Sequence, residues 1–186
     1  QNVGVASKLS HNSARYEEWQ DGKYDPPRGF AFAALELPET VLLVYSVHLK
    51  SNRGNDNGKK SVNIGMRTEA MSQLLRHYVR LQKAYAETTN KKVAVIVGGD
   101  FNTSLDDRRF AEETTLRKLI AAGFHWTFDE VPFSQRYSLP GRPDGRYPPA
   151  CFDHLFTIGL TDPQAAVVVV PGVSDHMPVV MRVRVP

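Results

Sequence analysis

Four short clusters in the sequence carry residue types that do chemistry. They are Ser46-Val47-His48-Leu49-Lys50-Ser51-Asn52, Gly98-Gly99-Asp100-Phe101-Asn102, Cys151-Phe152-Asp153-His154 and Val173-Ser174-Asp175-His176. An imidazole such as His48, which titrates near neutral pH, can hold or protonate a phosphate oxygen. It can equally bond a backbone carbonyl, as buried polar groups usually do. Asp100 and Asn102 lie two apart, so in an extended stretch they share a side. A carboxylate and an amide oxygen together suit a hard cation such as Mg²⁺, which keeps several waters. The same pair can instead form a local Asx turn. Asp153 interrupts an apolar stretch, where an ionised carboxylate is costly unless paired. A histidine partner would be oriented by it. Asp175 can ligate a metal or steer a water, and His176 can act as a general base. His154 falls on the opposite face of its strand from Asp153 and reads as structural. Cys151, with no second thiol, reads as packing. The glycosylation sequon at Asn102 is set aside because the site reads as recessed.

Each cluster sits at the C-terminal end of an expected strand or beside one, where ligands bind in many α/β sheets. Apolar runs predict strands at residues 2–7, 29–37, 41–49, 93–97, 150–158, 165–170 and 177–185. The runs around Pro38-Glu39-Thr40 read as a hairpin. The β-branched run 93–97 suits a strand buried on both faces, and the glycines after it suit a sharp turn. Ile64, Met71, Leu74, Leu75, Tyr78, Leu81 and Tyr85 recur at helical spacing, with Asn63 as N-cap and Arg67 on another face. A second helix is expected over 109–122, ended by Gly123. Two long loops, 50–62 and 134–149, remain, and loops of that length often carry function.

The chain has 186 residues, 41% hydrophobic and 23% charged, with a net charge of +3 and one cysteine. Those proportions exclude a disordered tail, a collagen-like fibre and a coiled coil. A single cysteine excludes an internal disulfide framework and a Cys-rich zinc site. The charge mildly favours polyanionic partners. The sequence opens on Gln1 with no basic segment leading into an apolar one, so it reads as a processed chain or a fragment.

In order and spacing, the motifs His48-Leu49-Lys50-Ser51, Gly99-Asp100-Phe101-Asn102, Phe152-Asp153-His154 and Ser174-Asp175-His176 resemble the endonuclease/exonuclease/phosphatase superfamily, the DNase I-like nucleases. Their wording is similar to that of bacterial, often secreted, nucleases. The resemblance runs from Asn2 to Val185. It implies an α/β four-layer sandwich of two mixed sheets flanked by helices. It also implies metal-dependent, in-line hydrolysis of a phosphodiester. Asp100 would orient the attacking water and help hold Mg²⁺, Mn²⁺ or Ca²⁺. Asn102 would bind the scissile phosphate and support the metal, and Asp175 would ligate it. His176, paired with Asp153, would be the base or a phosphate ligand, and His48 would hold or protonate a phosphoryl oxygen.

Two residues of the family pattern, an early asparagine and a metal-binding glutamate, have no counterpart here; Glu17 and Glu18 lie in a polar stretch beside Trp19. The resemblance therefore implies a family domain lacking its first strands over residues 1–186. The uncovered sheet is expected to meet the missing segment, a partner or a second copy. Arg28, Lys50, Asn52, Arg53, Arg67 and Arg136 are the expected substrate contacts. Basic groups interleaved with Tyr137 and Tyr147 suit a nucleic-acid backbone and its bases. No base-reading motif is evident, so sequence specificity is expected to be low. The alternatives are a phosphatase or phospholipid phosphodiesterase of the same superfamily, or an inactive remnant that only binds polyanions.

Overall fold

The structure, a computed structural model, describes residues 3–52, 59–142, 145, 147–170 and 172–186. The expected hairpin forms from β2 (Gly29–Glu36) and β3 (Thr40–His48), antiparallel and closed by Leu37 N–H donating to the Thr40 carbonyl at 2.9 Å. Next to β3 lies β4 (Lys92–Asp100), running parallel to it. Parallel neighbours need a long crossover, and α1 (Lys59–Thr88) supplies it. Antiparallel to β4 is β6 (Asp153–Ile158), which also pairs with the short edge strand β5 (His125–Trp126). The opposite edge is β1 (His11–Glu18), so the large sheet reads β1-β2-β3-β4-β6-β5. A separate antiparallel pair, β7 (Thr161–Val167) and β8 (Val179–Arg184), forms a second, smaller sheet. The large sheet is mixed, as expected; the small one among the described residues is antiparallel only.

Alternation along the central strands builds two apolar clusters. Val41, Leu43, Tyr45 and Val47 of β3 join Met71, Leu74 and Tyr78 of α1 in the main core. Leu42 of β3, with Ala33, Leu35 and Ala94, forms a smaller cluster. Each fully buried side chain of this kind stabilises by about 1.5–3 kcal/mol relative to exposure. Leu74, wholly buried, is the residue whose truncation to Ala would most directly unpin α1, at about 2–5 kcal/mol. α2 (Thr115–Ala121) adds Leu116 and Leu119 to the same core, and Gly123 follows it with φ +89°.

The structure corrects several expectations. No strand occupies 3–7; the first strand is β1, whose sequence is polar because an edge strand has one neighbour and largely exposed side chains. The helix expected over 109–122 divides into a 3-10 turn (Arg108–Phe110) and α2, and Glu113 between them turns inward. The buried stripe of α1 includes Asn63, Arg67 and His77, polar residues that an apolar-periodicity reading places elsewhere. Gly98 and Gly99 do not turn the chain. They stay inside β4, and a Cβ on Gly99 would meet the Val47 carbonyl oxygen at 1.9 Å. The glycine serves close strand approach. On the small sheet and the loop after β7, Val168, Val169, Val173 and Val180 are exposed.

Candidate active site

Strand register alone sets the first row of the site. His48 stands opposite Asp100, and Asp100 opposite Asp153, so three chemically active residues line up across β3, β4 and β6. The ladder continues one residue beyond the strands: Leu49 N–H donates to the Asp100 carbonyl and Phe101 N–H to the Phe152 carbonyl, both at 2.8 Å. His48 Nε2 lies 3.4 Å from Asp100 Oδ2. Arg28, just before β2, adopts φ +74°, a conformation that side chains other than glycine adopt at a cost of about 1–3 kcal/mol. Its guanidinium Nη1 donates to the His48 carbonyl at 3.1 Å and the Leu49 carbonyl at 3.2 Å, which ties it to the end of β3.

The second half of the site comes from the loop between β7 and β8. It brings His176 to Asp153, with Nδ1 to Oδ2 at 2.6 Å. Ser174 Oγ accepts from His176 N–H at 3.1 Å. A residue that sequence reasoning missed, Ser138, joins these parts. Its hydroxyl accepts from the Phe152 and Asp153 N–H groups at 3.1 and 3.0 Å, and its carbonyl accepts from Met177 N–H at 2.6 Å. Ser138 is fully buried. Nothing in the local sequence marks it, because its partners are distant in the chain.

Electrostatics divide the two imidazoles. Burial, with Arg28 nearby, lowers His48 to about 4, so it is neutral at pH 7. The hydrogen bond to Asp153 raises His176 to about 9, so it is an imidazolium. Burial and the neighbouring Asp153 raise Asp100 to about 6, still ionised at pH 7. Asn102, at φ +53°, donates its N–H to Asp100 Oδ1 at 2.8 Å and its amide Nδ2 to the Leu49 carbonyl at 3.2 Å. Asparagine is among the residues that tolerate this left-handed conformation. One site therefore offers a carboxylate, a neutral imidazole, a cationic imidazolium and an amide. That set can bind a phosphate, orient a water and transfer a proton.

Residues 3–176 match the endonuclease/exonuclease/phosphatase family. The chain belongs to this family. Solved structures similar to it include truncated TDP2 from Caenorhabditis elegans (TM-score 0.59, 13% identity, 94% of this chain and 67% of that one). SmcL superposes with a TM-score of 0.65 at 15% identity, over 94% of this chain and 66% of that one. A mannosyl-6-phosphatase from Bacteroides thetaiotaomicron gives 0.55 at 12% identity, over 94% and 66%. The chain spans about two thirds of these proteins' lengths, and about half (51%) of a longer TDP2 structure from C. elegans. No curated protein matches the sequence. The DNase I-like α/β fold inferred from the motifs stands.

Family members are hydrolases, either phosphodiesterases or phosphatases, and are generally dependent on a divalent metal. The residues present fit such an ion in kind. Asp100 is a largely buried carboxylate, and the Asn102 Nδ2 bond to Leu49 turns its amide oxygen away from that carbonyl. Asp175 is exposed beside His176, its carboxylate 3.5 Å from the Ser174 hydroxyl. Among the described residues no three His, Cys, Asp or Glu side chains converge to form a metal cage. An ion here would take one or two carboxylates, with waters and substrate oxygens completing its shell, a mode that Mg²⁺ accepts.

Two expected substrate contacts lie elsewhere. Arg67 is fully buried, paired with Glu113 and donating to the Lys50 carbonyl at 2.8 Å. Arg136 is also buried; it pairs with Asp106, donates to the Val131 carbonyl and lies over the Trp126 ring. Both brace the loops around the site, because a buried guanidinium needs a carboxylate partner. Asn52 stays at the site, its Nδ2 donating to the Asn102 carbonyl at 2.6 Å, and Lys50 is half-buried beside it. Arg53 lies outside the described residues. Glu17 is held by His77 Nε2 at 3.3 Å on the α1 side of the sheet.

Proposed function

We propose that this chain is the catalytic part of a metal-dependent phosphodiesterase acting on nucleic-acid backbones with low sequence specificity. The observation that carries the reading is the row His48–Asp100–Asp153 closed by His176. Asp100, ionised at neutral pH, orients the attacking water. The His176 imidazolium, steadied by Asp153, binds a phosphoryl oxygen and stabilises the charge that develops on it. Neutral His48 donates a hydrogen bond to the phosphoryl group, and Asn102 positions it. A divalent ion bound at Asp100 and Asn102, with Asp175 at its outer edge, would supply further charge neutralisation. Arg28, Lys50 and Asn52 stand at the rim to meet flanking phosphates.

Plasmid nicking in Mg²⁺ or Mn²⁺, with and without chelator, tests this. Chelator-sensitive nicking that is lost in His176→Ala is the expected result. Nicking unchanged by both treatments would remove the mechanism. Salt-sensitive DNA binding without nicking would favour an inactive polyanion-binding chain. A second reading has its own support: the segment leading to Ser174 and His176 carries an apolar shoulder, Val169 and Val173, 76% and 80% exposed. That shoulder suits a phosphodiester with an apolar part, and hydrolysis of phospholipid vesicles in preference to plasmid would select it. The exposed valines also support a covering chain on the small sheet, for which sedimentation at low concentration is the check.

A further inference from the structure

Strand β6 has two faces, and the site uses only one of them. Asp153 points to the site. The next residue, His154, points the other way into the core and is 1% exposed. It sits among the rings of Phe101, Trp126 and Phe156, with centroids 5.7, 5.8 and 6.1 Å away. An imidazole in such surroundings keeps both nitrogens bonded or costs stability. Trp126 Nε1–H donates to Nδ1 at 3.1 Å. An indole nitrogen only donates, so Nδ1 must carry the lone pair and Nε2 the proton. Nε2 then donates to the Thr103 carbonyl at 2.9 Å.

Thr103 follows Asn102 directly. Its own hydroxyl is buried without a hydrogen-bond partner, so the carbonyl is its polar tie to β6. The turn from Asp100 to Thr103 must hold Asn102 at φ +53° while Asp100 Oδ1 accepts from Asn102 N–H. Asn52 grips this turn from one side, through the Asn102 carbonyl. His154 grips it from within the core.

We infer that His154 is a positioning residue for the catalytic turn, held as the Nε2–H tautomer by Trp126 on one side and the Thr103 carbonyl on the other, so that β6 places Asp153 with one face and Asn102 with the other. The inference rests on the phosphodiesterase reading of the site. Misplacing a reacting group by about 1 Å costs on the order of 10²-fold in rate, and losing a hydrogen bond that orients a metal ligand costs about 10–100-fold. Asn102 acts at the reacting phosphoryl group and the rim contacts to flanking phosphates are untouched, so the loss falls mainly on kcat.

Three variants test it. His154→Leu keeps the apolar contacts and removes the bonds to Trp126 and Thr103 together with the 3.7 Å contact of Nδ1 with Cys151 Sγ. His154→Gln keeps an N–H donor for Thr103 and an acceptor for Trp126. Trp126→Phe keeps the ring stack and the Nε2–H donor to Thr103 while removing the bond to Nδ1. The expected result is a kcat roughly 10-fold or more lower in His154→Leu with KM nearly unchanged. Most of it returns in His154→Gln, and Trp126→Phe falls between. Nitrogen NMR of the wild type shows His154 as the Nε2–H tautomer; an Nδ1–H wild type would overturn the inference. Equal kcat losses in His154→Leu and His154→Gln, or none in either, would overturn the inference. If the wild type cleaves no phosphodiester, the functional reading falls while the NMR arm still decides this one. Asn102 and Thr103 amide shifts that move in His154→Leu and stay in His154→Gln support it; shifts unmoved in His154→Leu refute it. Should His154→Leu not fold, the wild-type tautomer still decides, since an Nδ1–H imidazole would leave the Thr103 carbonyl without its donor and count against it.

Discussion

The site contains two imidazole–carboxylate couples that end in opposite states. His48 and Asp100 approach across adjacent strands, 3.4 Å apart, with Arg28 close by. There burial dominates: the imidazole stays neutral and the carboxylate rises to about 6. His176 and Asp153 meet through a 2.6 Å hydrogen bond between a loop and a strand end. There the bond dominates, and the imidazole holds its proton up to about 9. The residue types are the same. What differs is whether a direct hydrogen bond outweighs desolvation, and whether a guanidinium stands nearby. Under the proposed function, positioning a water and stabilising an anion call for both outcomes.

The contrast breaks most sharply at Asp153. Asp153→Asn removes the charge that holds the His176 proton, and activity should fall on the order of 10³-fold. In the metal-free protein the His176 titration followed by NMR should move from about 9 toward its ordinary value of about 6.5. A His176 that still titrates near its wild-type value would show that Asp153 is not the cause.

A cation–carboxylate pair that serves the fold provides the control. Arg67→Met leaves Glu113 buried and uncompensated, and chemical denaturation should show a loss of about 3–5 kcal/mol. The double variant Arg67→Met/Glu113→Leu should recover most of it. If the single variant is as stable as wild type, the pair is not bracing the loop after His48.

Next comes acid lability. Burial lowers His154 to about 4, and it lowers His77, held between Glu17 and Tyr45, in the same direction. The unfolded chain binds these protons at about 6.5, the folded chain only at lower pH. Between those values the unfolded state carries more of these protons, so the contribution of these two histidines is full above about pH 6.5 and falls as the pH drops toward 4. Denaturation midpoints measured across that range should show the slope, and His154→Gln should flatten part of it. A pH slope in His154→Gln equal to that of the wild type would contradict the assignment.

The smallest effect is expected at Arg28. Arg28→Gln shortens the reach to the His48 and Leu49 carbonyls and removes a charge that holds His48 neutral. The His48 titration should move up from about 4, and kcat should fall by about 10-fold through lost orientation. A larger change in KM than in kcat would instead mark Arg28 as mainly a substrate contact.

Much of this molecule is legible in its sequence because the signals are local. The hairpin of β2 and β3, the buried strand β4 and the apolar part of α1 follow from alternation, β-branched runs and helical spacing. His48, Asp100, Asn102, Asp153 and His176 stand out because polar residues at strand ends and in turns break those patterns. Strand β1 escapes such a reading because an edge strand carries no apolar period. Ser138 and the Trp126–His154 pair escape it because their partners are far away in the chain.

The family, the core strands and the candidate site residues can be read from the chain alone, since each rests on neighbours in sequence. Tertiary packing sorted the charges into those that stand at the site and those that brace the fold. It buried Arg67 and Arg136 against carboxylates, left Arg28 and Asn52 at the site, and gave the two histidines opposite protonation. The reason is that burial, hydrogen-bond length and the sign of the nearest charge are properties of space, set where distant segments meet.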